Sequence, residues 1–497
     1  MFAAVVTAGM LASCSSESLT GSDPKIETPD QADLVPIEVG VATNQTKAVT
    51  RGTGSAGGTG VGADVNIWRG ERVNVMMYQL TPTTLLPTFN FTKDAANNSL
   101  YENVSMVTPL LAENSASGIA KEPTNPNEIG WNTPTQYTYK VKYYPASGQS
   151  DFWGYYLGGY GTPGPDGPAG NGTLTMYEDA ALATSTTTEA NATCVATHVV
   201  IDGTHDLLVG QAPTIDELTT AGTTGAASAY SAKAARVTPP LQPNIIFKHL
   251  LSRLQFKVKP GKASGHGVKV NAIKVRSLTT GEMIVAYKYK NGTGAVAEPN
   301  RLVWNTSVDY TDPATTTATY YKDLTQLELK RRLTAADITA YGTLDPADPY
   351  KLANEITAAD EGKMRPIYPV TLQWNTTGPG APFGEETSVG EALLVAPQDK
   401  YEIEVDYSMD LATARNWYQG ATDYHEGDLV GATSPINDNL ITDLIRTSTG
   451  TGTTPLAFAP GESYLITISL YGPEEIKITT TLTAWTTSDQ NIEIGAD

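Results

Sequence analysis

Short runs in which apolar and polar residues alternate recur along most of the chain. A period of two places every second side chain on one face of a β-strand, so each run predicts a strand. Clusters of glycine, proline, asparagine and aspartate separate the runs and favour turns. The predicted strands are RVNVMMYQL (72–80), YTYKVKYYP (137–145), DFWGYYLGGYG (151–161), THVVIDG (197–203), DLLVGQAP (206–213), IIFKHLLSRLQFKVKP (245–260), VKVNAIKVRSL (268–278), MIVAYKY (283–289), YPVTLQW (368–374), ALLVAPQ (392–398), YEIEVDYSMD (401–410), SYLITISLYG (463–472) and EIKITTTLTAW (475–485). This spacing is typical of an all-β sandwich.

A further strand is predicted at LVPIEVGV (34–41), before the first glycine-rich segment. Its alternating apolar residues are Val35, Ile37, Val39 and Val41. The sequence TKAVTRGTGSAGGTGVGADV follows at 46–65, and its GTGSAG matches the G-x-G-x-x-G pattern of dinucleotide-binding proteins. That pattern requires a helix after the glycines, whereas here the glycines continue and the next run alternates like a strand. We therefore interpret the segment as a linker.

Two other segments shape the predicted organisation. The residues DLTQLELKRRLTAADITAYG (323–342) combine good helix formers with spaced Leu and Ile, which predicts a surface helix carrying the basic run at 330–332. Residues 210–243 are rich in Ala, Thr and Ser and end in TPPLQPN, which predicts a boundary between two β-rich domains. The last two predicted strands flank Gly472 and Pro473 and predict an antiparallel hairpin.

Composition points to an extracellular protein. The formal net charge is −20 and the sequence pI is near 4.7, so a phosphate backbone would be repelled and nucleic-acid binding is disfavoured. The 25 tyrosines outnumber the 8 phenylalanines, and tyrosine suits strands with one wet face. The 2 cysteines exclude a disulfide framework.

The N-terminal segment MFAAVVTAGMLASCSSES predicts export. Its apolar run ends in Leu11-Ala12-Ser13-Cys14, which fits a bacterial lipobox whose cysteine is acylated; an ordinary secretory signal with an incidental cysteine is the alternative. No Lys or Arg precedes Cys14, which indicates a start codon placed too late. No other window is long and apolar enough for a membrane-spanning helix, so we expect a lipid attachment to the membrane.

A search for catalytic and metal-binding patterns favours a protein that is not an enzyme. The nucleophile-elbow, P-loop, H-E-x-x-H, C-x-x-C and EF-hand patterns are all absent from the sequence, and we expect no cofactor and no metal. One weak metal candidate groups Cys194, His198, His205 and Asp206, for which a buried cysteine with polar loop histidines is the favoured interpretation. His249 lies between apolar residues and is expected to be a hydrogen-bonded structural histidine.

Two segments have compositions found at surface binding sites as well as in ordinary turns and cores. The acidic segment at 423–428 could bind a cation or a sugar but is more typical of a solvated turn. Trp153, Tyr155, Tyr156 and Tyr160 could form a carbohydrate platform, but strand alternation favours Trp153 and Tyr155 as core residues.

The lipobox, the strand before Arg51, YYPASGQSDFWGYY, HDLLVGQAP, IIFKHLLSRLQFKV and the closing GESYLITISLYGPEEIKITTTLTAW together resemble the fimbrillins, the type V pilus subunits of Bacteroidales. The resemblance implies two tandem transthyretin-like β-sandwich domains with a few short helices. It also implies export as an outer-membrane lipoprotein and cleavage by an arginine-specific protease, which removes the lipid and the first strand. The resulting division is a signal peptide at 1–13, a tether with the removed strand at 14–51, an N-terminal domain at 52–238 and a C-terminal domain with a donor strand at 244–497.

Within this resemblance, Arg51 is the expected processing site and Gly52 the new first residue, with Arg69 and Arg72 as competitors inside predicted strand structure. Loss of the first strand would bare an apolar groove that a C-terminal strand of the next subunit could fill. The sequence leaves two donor segments open, 491–494 and 476–485. Their candidate residues are Ile476, Ile478, Leu482, Trp485, Ile492 and Ile494.

The expected function is a stalk or tip subunit of a surface fimbria that binds other pilus subunits, the protease and, before processing, the outer membrane. The alternative is an uncleaved lipid-anchored surface protein, either a pilus anchor or a binder of glycan or host protein.

Overall fold

The computed structural model describes residues 34–43, 72–81, 86–108, 117–122, 139–158, 172–178, 188, 191–213, 230–236, 240–288, 301–304, 308–311, 319–321, 324–344, 346, 351, 355–367, 369–377, 381, 383–409, 436–447, 455–472, 475–483 and 494–495. Strands dominate these residues, which confirms the predicted all-β sandwich class. The described α-helices are α1 (Ala232–Ala235) and α2 (Ala335–Gly342), and short 3₁₀ turns lie at Ala263–Gly265 and Ala358–Asp360. None of the helices in this part of the chain is long and apolar enough to cross a lipid bilayer.

The strands of the first half are β1 (Val39–Thr43), β2 (Arg72–Leu80), β3 (Pro87–Phe91), β4 (Val104–Val107), β5 (Ser117–Ala120), β6 (Ser150–Tyr156), β7 (Leu174–Tyr177), β8 (Cys194–Val200), β9 (Leu208–Gln211) and β10 (Asn244–His249). The strands that follow are β11 (Ser252–Pro260), β12 (Val268–Ser277), β13 (Thr280–Tyr287), β14 (Leu302–Trp304), β15 (Val308–Thr311), β16 (Thr319–Tyr321), β17 (Thr325–Glu328), β18 (Lys330–Arg332), β19 (Met364–Pro366) and β20 (Val370–Thr371). The last are β21 (Trp374–Asn375), β22 (Phe383–Gly384), β23 (Thr387–Val395), β24 (Lys400–Met409), β25 (Ile436–Thr447), β26 (Pro455–Leu456), β27 (Ser463–Gly472), β28 (Glu475–Thr483) and β29 (Ile494–Gly495).

The first sheet closes into a ring of strands. Its order is β3-β2-β6-β9-β10-β1-β5, and β4 pairs with β2. The two free ends meet because Val107, at the end of β4, exchanges both backbone hydrogen bonds with Lys121, next to β5, at 2.8 and 3.0 Å. The ring therefore runs β2-β6-β9-β10-β1-β5-β4 and back to β2, and β1 is an inner member of it.

Side chains from every strand of the ring fill its interior. The buried cluster inside it comprises Val35, Ile37, Val39, Val41, Val73, Val75, Met77, Leu100, Tyr101, Met106, Ala120, Tyr144, Phe152, Tyr156, Leu208, Ala212, Tyr230, Ala235, Ile245 and Phe247. Gly154, between Phe152 and Tyr156 on β6, leaves the space that the Phe247 ring occupies, since a Cβ there would lie 2.8 Å from Phe247 Cζ. The ring is thus a packed core.

Strand β6 is buried on both faces. Phe152 and Tyr156 enter the ring, whereas Trp153 and Tyr155 face a second and larger cluster. There Trp153 packs edge-on against Tyr287 of β13, with ring centroids 5.2 Å apart. β13 belongs to a four-stranded sheet of order β14-β13-β8-β7. The predicted core position of Trp153 and Tyr155 is confirmed.

The remaining large sheets form a sandwich. One has the order β23-β11-β27-β28-β29, and the other has the order β17-β12-β24-β25-β26 with β20 paired to β12. Alternation is strict in β24, where Tyr401, Ile403, Val405 and Tyr407 are buried and the residues between them are partly exposed. The predicted hairpin at Gly472 and Pro473 is confirmed, because β27 and β28 pair antiparallel.

Strand pairing also crosses the expected boundary near residue 240. β10 lies between β9 and β1, and β13 pairs with β8. The division into residues 52–238 and 244–497 stays a prediction.

The helix predicted over 323–342 is wrong in its first half. Residues 325–328 and 330–332 are the strands β17 and β18, and the helix starts only at Ala335. The reason is twofold: Leu327 and Leu329 are buried at a strand period, and Thr334 begins the helix with a capping box. In this box Asp337 N donates to Thr334 Oγ1 at 3.3 Å, and Thr334 N donates to Asp337 Oδ2 at 2.8 Å. The predicted strand at 137–145 is also absent from the described part, where residues 139–145 make only isolated bridges.

Candidate functional site

Strand β1 is held on both sides by backbone pairing. It runs parallel to β10, with Gly40 beside Asn244 and Val41 beside Ile245. It runs antiparallel to β5, with Val39 beside Ala120. Each ladder spans four residues, so β1 bridges β5 to the rest of the ring.

The residues that precede β1 are fixed by a loop and by one amide side chain. Ile37 N donates to Lys142 O at 2.9 Å, and Tyr144 N donates to Val35 O at 2.9 Å. On the other side Gln242 Oε1 accepts from Glu38 N at 3.2 Å, and Gln242 Nε2 donates to Pro36 O at 3.0 Å. Gln242 precedes β10 in the chain. Its side chain therefore provides, for residues 36 and 38, the hydrogen bonds that the β10 main chain provides for β1.

Ion pairs and a hydrogen bond hold residues 140–144 beside the segment that precedes β1. Glu122 forms ion pairs with Lys140 at 2.8 Å and with Lys142 at 2.6 Å. Tyr144 OH donates to Gln242 Oε1 at 3.3 Å. Burial, followed by the nearby Tyr101, raises the pKa of the Tyr144 phenol, which therefore remains a neutral donor.

The four alternating residues of the first strand all point into the ring. Val35 and Ile37 are 8% and 7% exposed, and Val39 and Val41 are 1% and 0% exposed. Burial of an aliphatic side chain of this size contributes roughly 1.5–3 kcal/mol, so the four contribute roughly 6–12 kcal/mol before ordering costs. We call the space that residues 35–42 occupy between β10 on one side and β5 with the 142–144 loop on the other the β1 slot.

One position in the β1 slot has little space for a side chain. A Cβ on Gly40 would lie 2.7 Å from Asn244 Oδ1 and 3.3 Å from Asn244 Cα. Real Cβ atoms almost never approach other atoms within 3.0 Å, so a larger residue at position 40 would require the Asn244 side chain to move and would still be tight against Asn244 Cα. The β1 slot is therefore suited to alternating apolar residues, such as Ile37 and Val39, followed directly by a small residue such as Gly40.

The chain joins β1 to β2 through residues 44–71. This connection contains Arg51 and Gly52, which lie outside the described residues, as does Cys14. Arg69 is outside them too, whereas Arg72 is the first residue of β2 and is half-buried. A cut anywhere in 44–71 would leave β1 attached to the ring by non-covalent contacts alone.

The candidate donor residues lie in another sheet. Ile476, Ile478 and Leu482 belong to β28, which is paired with β27 along its whole length. Ile494 belongs to β29, the edge strand, which meets β28 at two register pairs. Trp485 and Ile492 lie outside the described residues. The described parts of both donor segments are therefore far in sheet order from the β1 slot.

The weak metal candidate separates into three polar pairs and a buried thiol. Cys194 is buried in β8; His198 Nδ1 lies 3.0 Å from Glu282 Oε1, and His205 Nδ1 lies 2.9 Å from Asp202 Oδ2. Burial opposes ionisation of Asp202, but its hydrogen bonds with His205 and Thr204 outweigh burial and lower its pKa. In the described part of the chain no three metal-ligating side chains come together.

Asp206 forms the third pair. Its Oδ2 is 2.5 Å from Nδ1 of His249, and both residues are buried, which confirms the prediction of a hydrogen-bonded structural histidine. The basic run at 330–332 lies on β18, where Arg331 pairs with Asp337 at 2.5 Å. The acidic segment at 423–428 and Tyr160 fall outside the described residues.

Sequence reasoning found the apolar residues of β1 but missed Gly40, Asn244 and Gln242. A glycine inside an otherwise regular strand is a signal for close backbone approach. The residues that Gly40 approaches are 204 positions away in the chain, and no local pattern identifies them.

No family model matches the chain, and no curated protein matches it. The chain is similar to solved structures of candidate cell adhesion proteins, among them one from Bacteroides uniformis with 11% identity and a TM-score of 0.33, covering 92% of this chain and 100% of that one. It is also similar to a C-terminally truncated tip fimbrial protein of Porphyromonas gingivalis, with 9% identity and a TM-score of 0.27 over 90% of this chain and 99% of that one. A third is the fimbrial anchor protein of the same organism, with 11% identity and a TM-score of 0.25 over 93% of this chain and 100% of that one. These neighbours are of the class that the sequence motifs resemble, and their TM-scores lie below 0.5, so the proposals below rest on the residues of this chain.

Proposed function

We propose that the protein is a structural subunit of a surface fimbria that polymerises by exchange of its first strand. The observation that carries the proposal is the position of β1, an inner strand of a closed ring that the chain joins to β2 only through 44–71. Arg51 lies in that connection, and its sequence is rich in glycine, a composition at which proteases commonly cut.

Removal of β1 would open the ring. The facing backbone groups of β10 and β5 would lose their partners, and the pockets of Val35, Ile37, Val39 and Val41 would meet water. Unpaired strand edges beside an apolar groove recruit a strand from another chain. Because the acceptor groove and the donor strand are different surfaces, the contact is heterologous and produces an open filament.

The route to the surface follows from the N-terminal sequence. Acylation at Cys14 holds the precursor at the outer membrane, and an arginine-specific protease cuts after Arg51, so that the subunit starts at Gly52 and leaves lipid and β1 behind. The partners are then other pilus subunits, and the location is a surface fimbria. The glycan-binding alternative gains no support from Trp153 and Tyr155, which are buried.

A disulfide across the β1 slot tests the proposal. A Cβ at position 40 would lie 3.3 Å from Asn244 Cβ, close to the 3.5–4.5 Å typical of disulfides, so G40C/N244C is expected to tie β1 to β10. After cleavage by the arginine-specific protease, the oxidised double variant should stay monomeric, and a reductant should start polymerisation. The single variants G40C and N244C are the controls, and Cys194 is buried. Oxidised G40C/N244C that polymerises as fast as the reduced form would overturn the proposal.

The cleavage step has its own matched variants. R51K keeps the positive charge but removes the arginine-specific site, and we expect it to retain the acylated Cys14 N-terminus and to form no filaments. R72K makes the same change at the start of β2 and should leave processing and assembly intact. N-terminal sequencing with a lipid assay on surface protein reads both results. Normal filaments from uncleaved R51K protein would contradict the cleavage requirement.

A further inference from the structure

A polar cavity lies at one end of the ring, where β2 and β3 meet the turn before β6 and the helix α1. Its volume is about 810 Å³, within the range of roughly 300–1,000 Å³ typical of sites for small molecules. None of the residues that line it belongs to the β1 slot. We call it the ring-end cavity, and its lining residues lie at 79–81, 88, 92–93, 145–150 and 231–233.

Backbone hydrogen bonds hold the walls of the ring-end cavity together. Leu80 N, at the end of β2, donates to Gln149 O at 2.9 Å. Ser150 N, at the start of β6, donates to Tyr230 O at 3.0 Å, just before α1. Main-chain contacts therefore join the lining residues of β2, β6 and α1. A ligand would find the cavity already formed, which lowers the ordering cost of binding.

A bulge in β3 forms another wall of the cavity. The register of β2 and β3 shifts so that three residues of β3, 88–90, lie opposite the single residue Gln79. The middle one, Phe89, has a φ of 59°, which is unusual for an aromatic residue, and its side chain is fully buried in the larger core. With Phe89 turned into the core, Thr88 lines the cavity, and its Oγ1 donates to Gln79 O at 3.1 Å. Backbone outliers of this kind cluster at functional sites.

Two hydroxyl groups form the floor of the cavity. Thr92 and Ser150 are each 3% exposed, and Thr92 Oγ1 lies 2.8 Å from Ser150 Oγ. Each hydroxyl has one hydrogen and two lone pairs, so this contact uses only one of the two hydrogens. Within the described ranges the other hydrogen has no acceptor, which leaves it free to donate to a ligand hydroxyl.

The charged residues of the cavity are both cationic. Lys93 and Lys233 line it, and none of the other lining residues is Asp, Glu, Arg or His. Both lysines are exposed, and no carboxylate in the described part of the chain forms an ion pair with either of them. In a chain with a formal net charge of −20, the two lysines make this cavity a local site for an anion.

The acidic residues next to the lining segments are engaged elsewhere. Asp94 Oδ1 accepts hydrogen bonds from two backbone N–H groups of its own turn, at 2.9 and 2.8 Å. Asp151 Oδ2 accepts from Gln211 Nε2 at 3.1 Å. Neither carboxylate lines the cavity, so the two lysine charges are not neutralised within it.

We infer that the ring-end cavity binds a sugar acid, a small molecule that combines a carboxylate with several hydroxyl groups. The ammonium groups of Lys93 and Lys233 attract the carboxylate, and the hydroxyls of Thr92 and Ser150 exchange hydrogen bonds with those of the sugar. No aromatic residue lines the cavity, so the charge of a sugar, and not stacking against a ring, decides whether it binds. The site is complete in one chain and does not depend on strand exchange. It would add recognition of acidic glycans to the structural role proposed above.

Titration of the full, uncleaved chain, followed by NMR of the ligand, tests the ligand class. The probes are glucuronate and N-acetylneuraminate, which carry a carboxylate and hydroxyls, glucose, which carries only hydroxyls, and acetate, which carries only the charge. The sugar acids should bind at least about tenfold more tightly than glucose or acetate, and high salt should weaken their binding. Glucose or acetate that binds as tightly as the sugar acids, or no binding of either sugar acid, would overturn the inference.

Substitutions at exposed positions locate the site. K93M and K233M should each weaken binding of the sugar acids by roughly two- to fivefold, and the double variant by roughly tenfold, as expected for exposed charge pairs. K262M is the matched control, because Lys262 is an exposed lysine outside the cavity, and it should leave binding unchanged.

A bulky side chain provides a second test of the location. A146W adds an indole at an exposed position of the cavity wall and should abolish binding, while its unfolding midpoint stays that of wild type. Full binding by K93M/K233M or by A146W, or an equal loss in K262M, would place the ligand elsewhere and overturn the inference. None of these results depends on polymerisation, so the proposed function stands or falls separately.

Discussion

The segment from Ile37 to Thr43, which includes β1, and strand β24 both contain the tripeptide Ile-Glu-Val, yet their surroundings differ. Ile37 and Val39 enter the ring, and Ile403 and Val405 enter the sandwich, so both pairs are buried. β24 spans Lys400–Met409 and pairs along most of that length with β12 and β25. β1 pairs over four residues on each side.

The residues between the buried ones differ as well. Glu404 and Asp406 hold Lys274 of β12 at 3.0 and 2.7 Å, which fixes the register of β24. The corresponding residues of the first segment are Glu38, which precedes β1 and is exposed, and Gly40, which is half-buried. The same tripeptide therefore occurs in β24, where the ladders are long and the charges are paired, and beside β1, where the ladders are short; the proposed function requires only the second strand to be replaceable.

The largest expected change in stability comes from truncating Ile403 and Ile37. I403A should lower the free energy of unfolding by about 3–4 kcal/mol, since it leaves a cavity in a sandwich that cannot relax locally. I37A should cost less, about 2 kcal/mol, because Ile37 precedes the paired residues of β1 and is held by single hydrogen bonds to Lys142 and, through Glu38, to Gln242, so its pocket can relax more easily. Guanidinium unfolding of both variants, monitored by fluorescence, measures the difference. Equal losses would mean that β1 is as integral as β24.

The next largest change in stability is expected at the close contact between Gly40 and Asn244. G40A should destabilise the chain by about 1–3 kcal/mol, because the new Cβ would lie 2.7 Å from Asn244 Oδ1. The matched control is G342A at the end of α2, where nothing lies within 4 Å and stability should not fall. Combining G40A with N244A should recover most of the loss. If G40A unfolds like wild type, the β1 slot does not select glycine.

The sequence predicts a structural feature well when the residues that determine it are close together in the chain. The bounds of β2, the hairpin of β27 and β28 and the core position of Trp153 follow from local alternation and turn residues. The leucines of 324–333 satisfy a helical as well as a strand period, and only pairing with β12 decides between them. The contact of Gly40 with Asn244 depends on parallel pairing of distant segments, which no local period encodes.

The smallest effect tests the paired charges of β24. Burial opposes the charge on Lys274, but its hydrogen bonds with Asp406 and Glu404 outweigh burial and raise its pKa. A raised pKa in the folded state contributes stability that is fully present below the unfolded value of 10.5 and is lost as the pH rises through the folded value. K274M should therefore cost about 1 kcal/mol at pH 8, and its difference from wild type should shrink above pH 11. The matched change just before β1, E38Q, should alter stability by less than about 0.5 kcal/mol across this range, because Glu38 is exposed. Urea unfolding midpoints of wild type, K274M and E38Q from pH 8 to 11.5 measure both effects. If K274M is still less stable than wild type by the same amount at pH 11.5, Lys274 stabilises the fold by packing of its aliphatic stem and not by its charge.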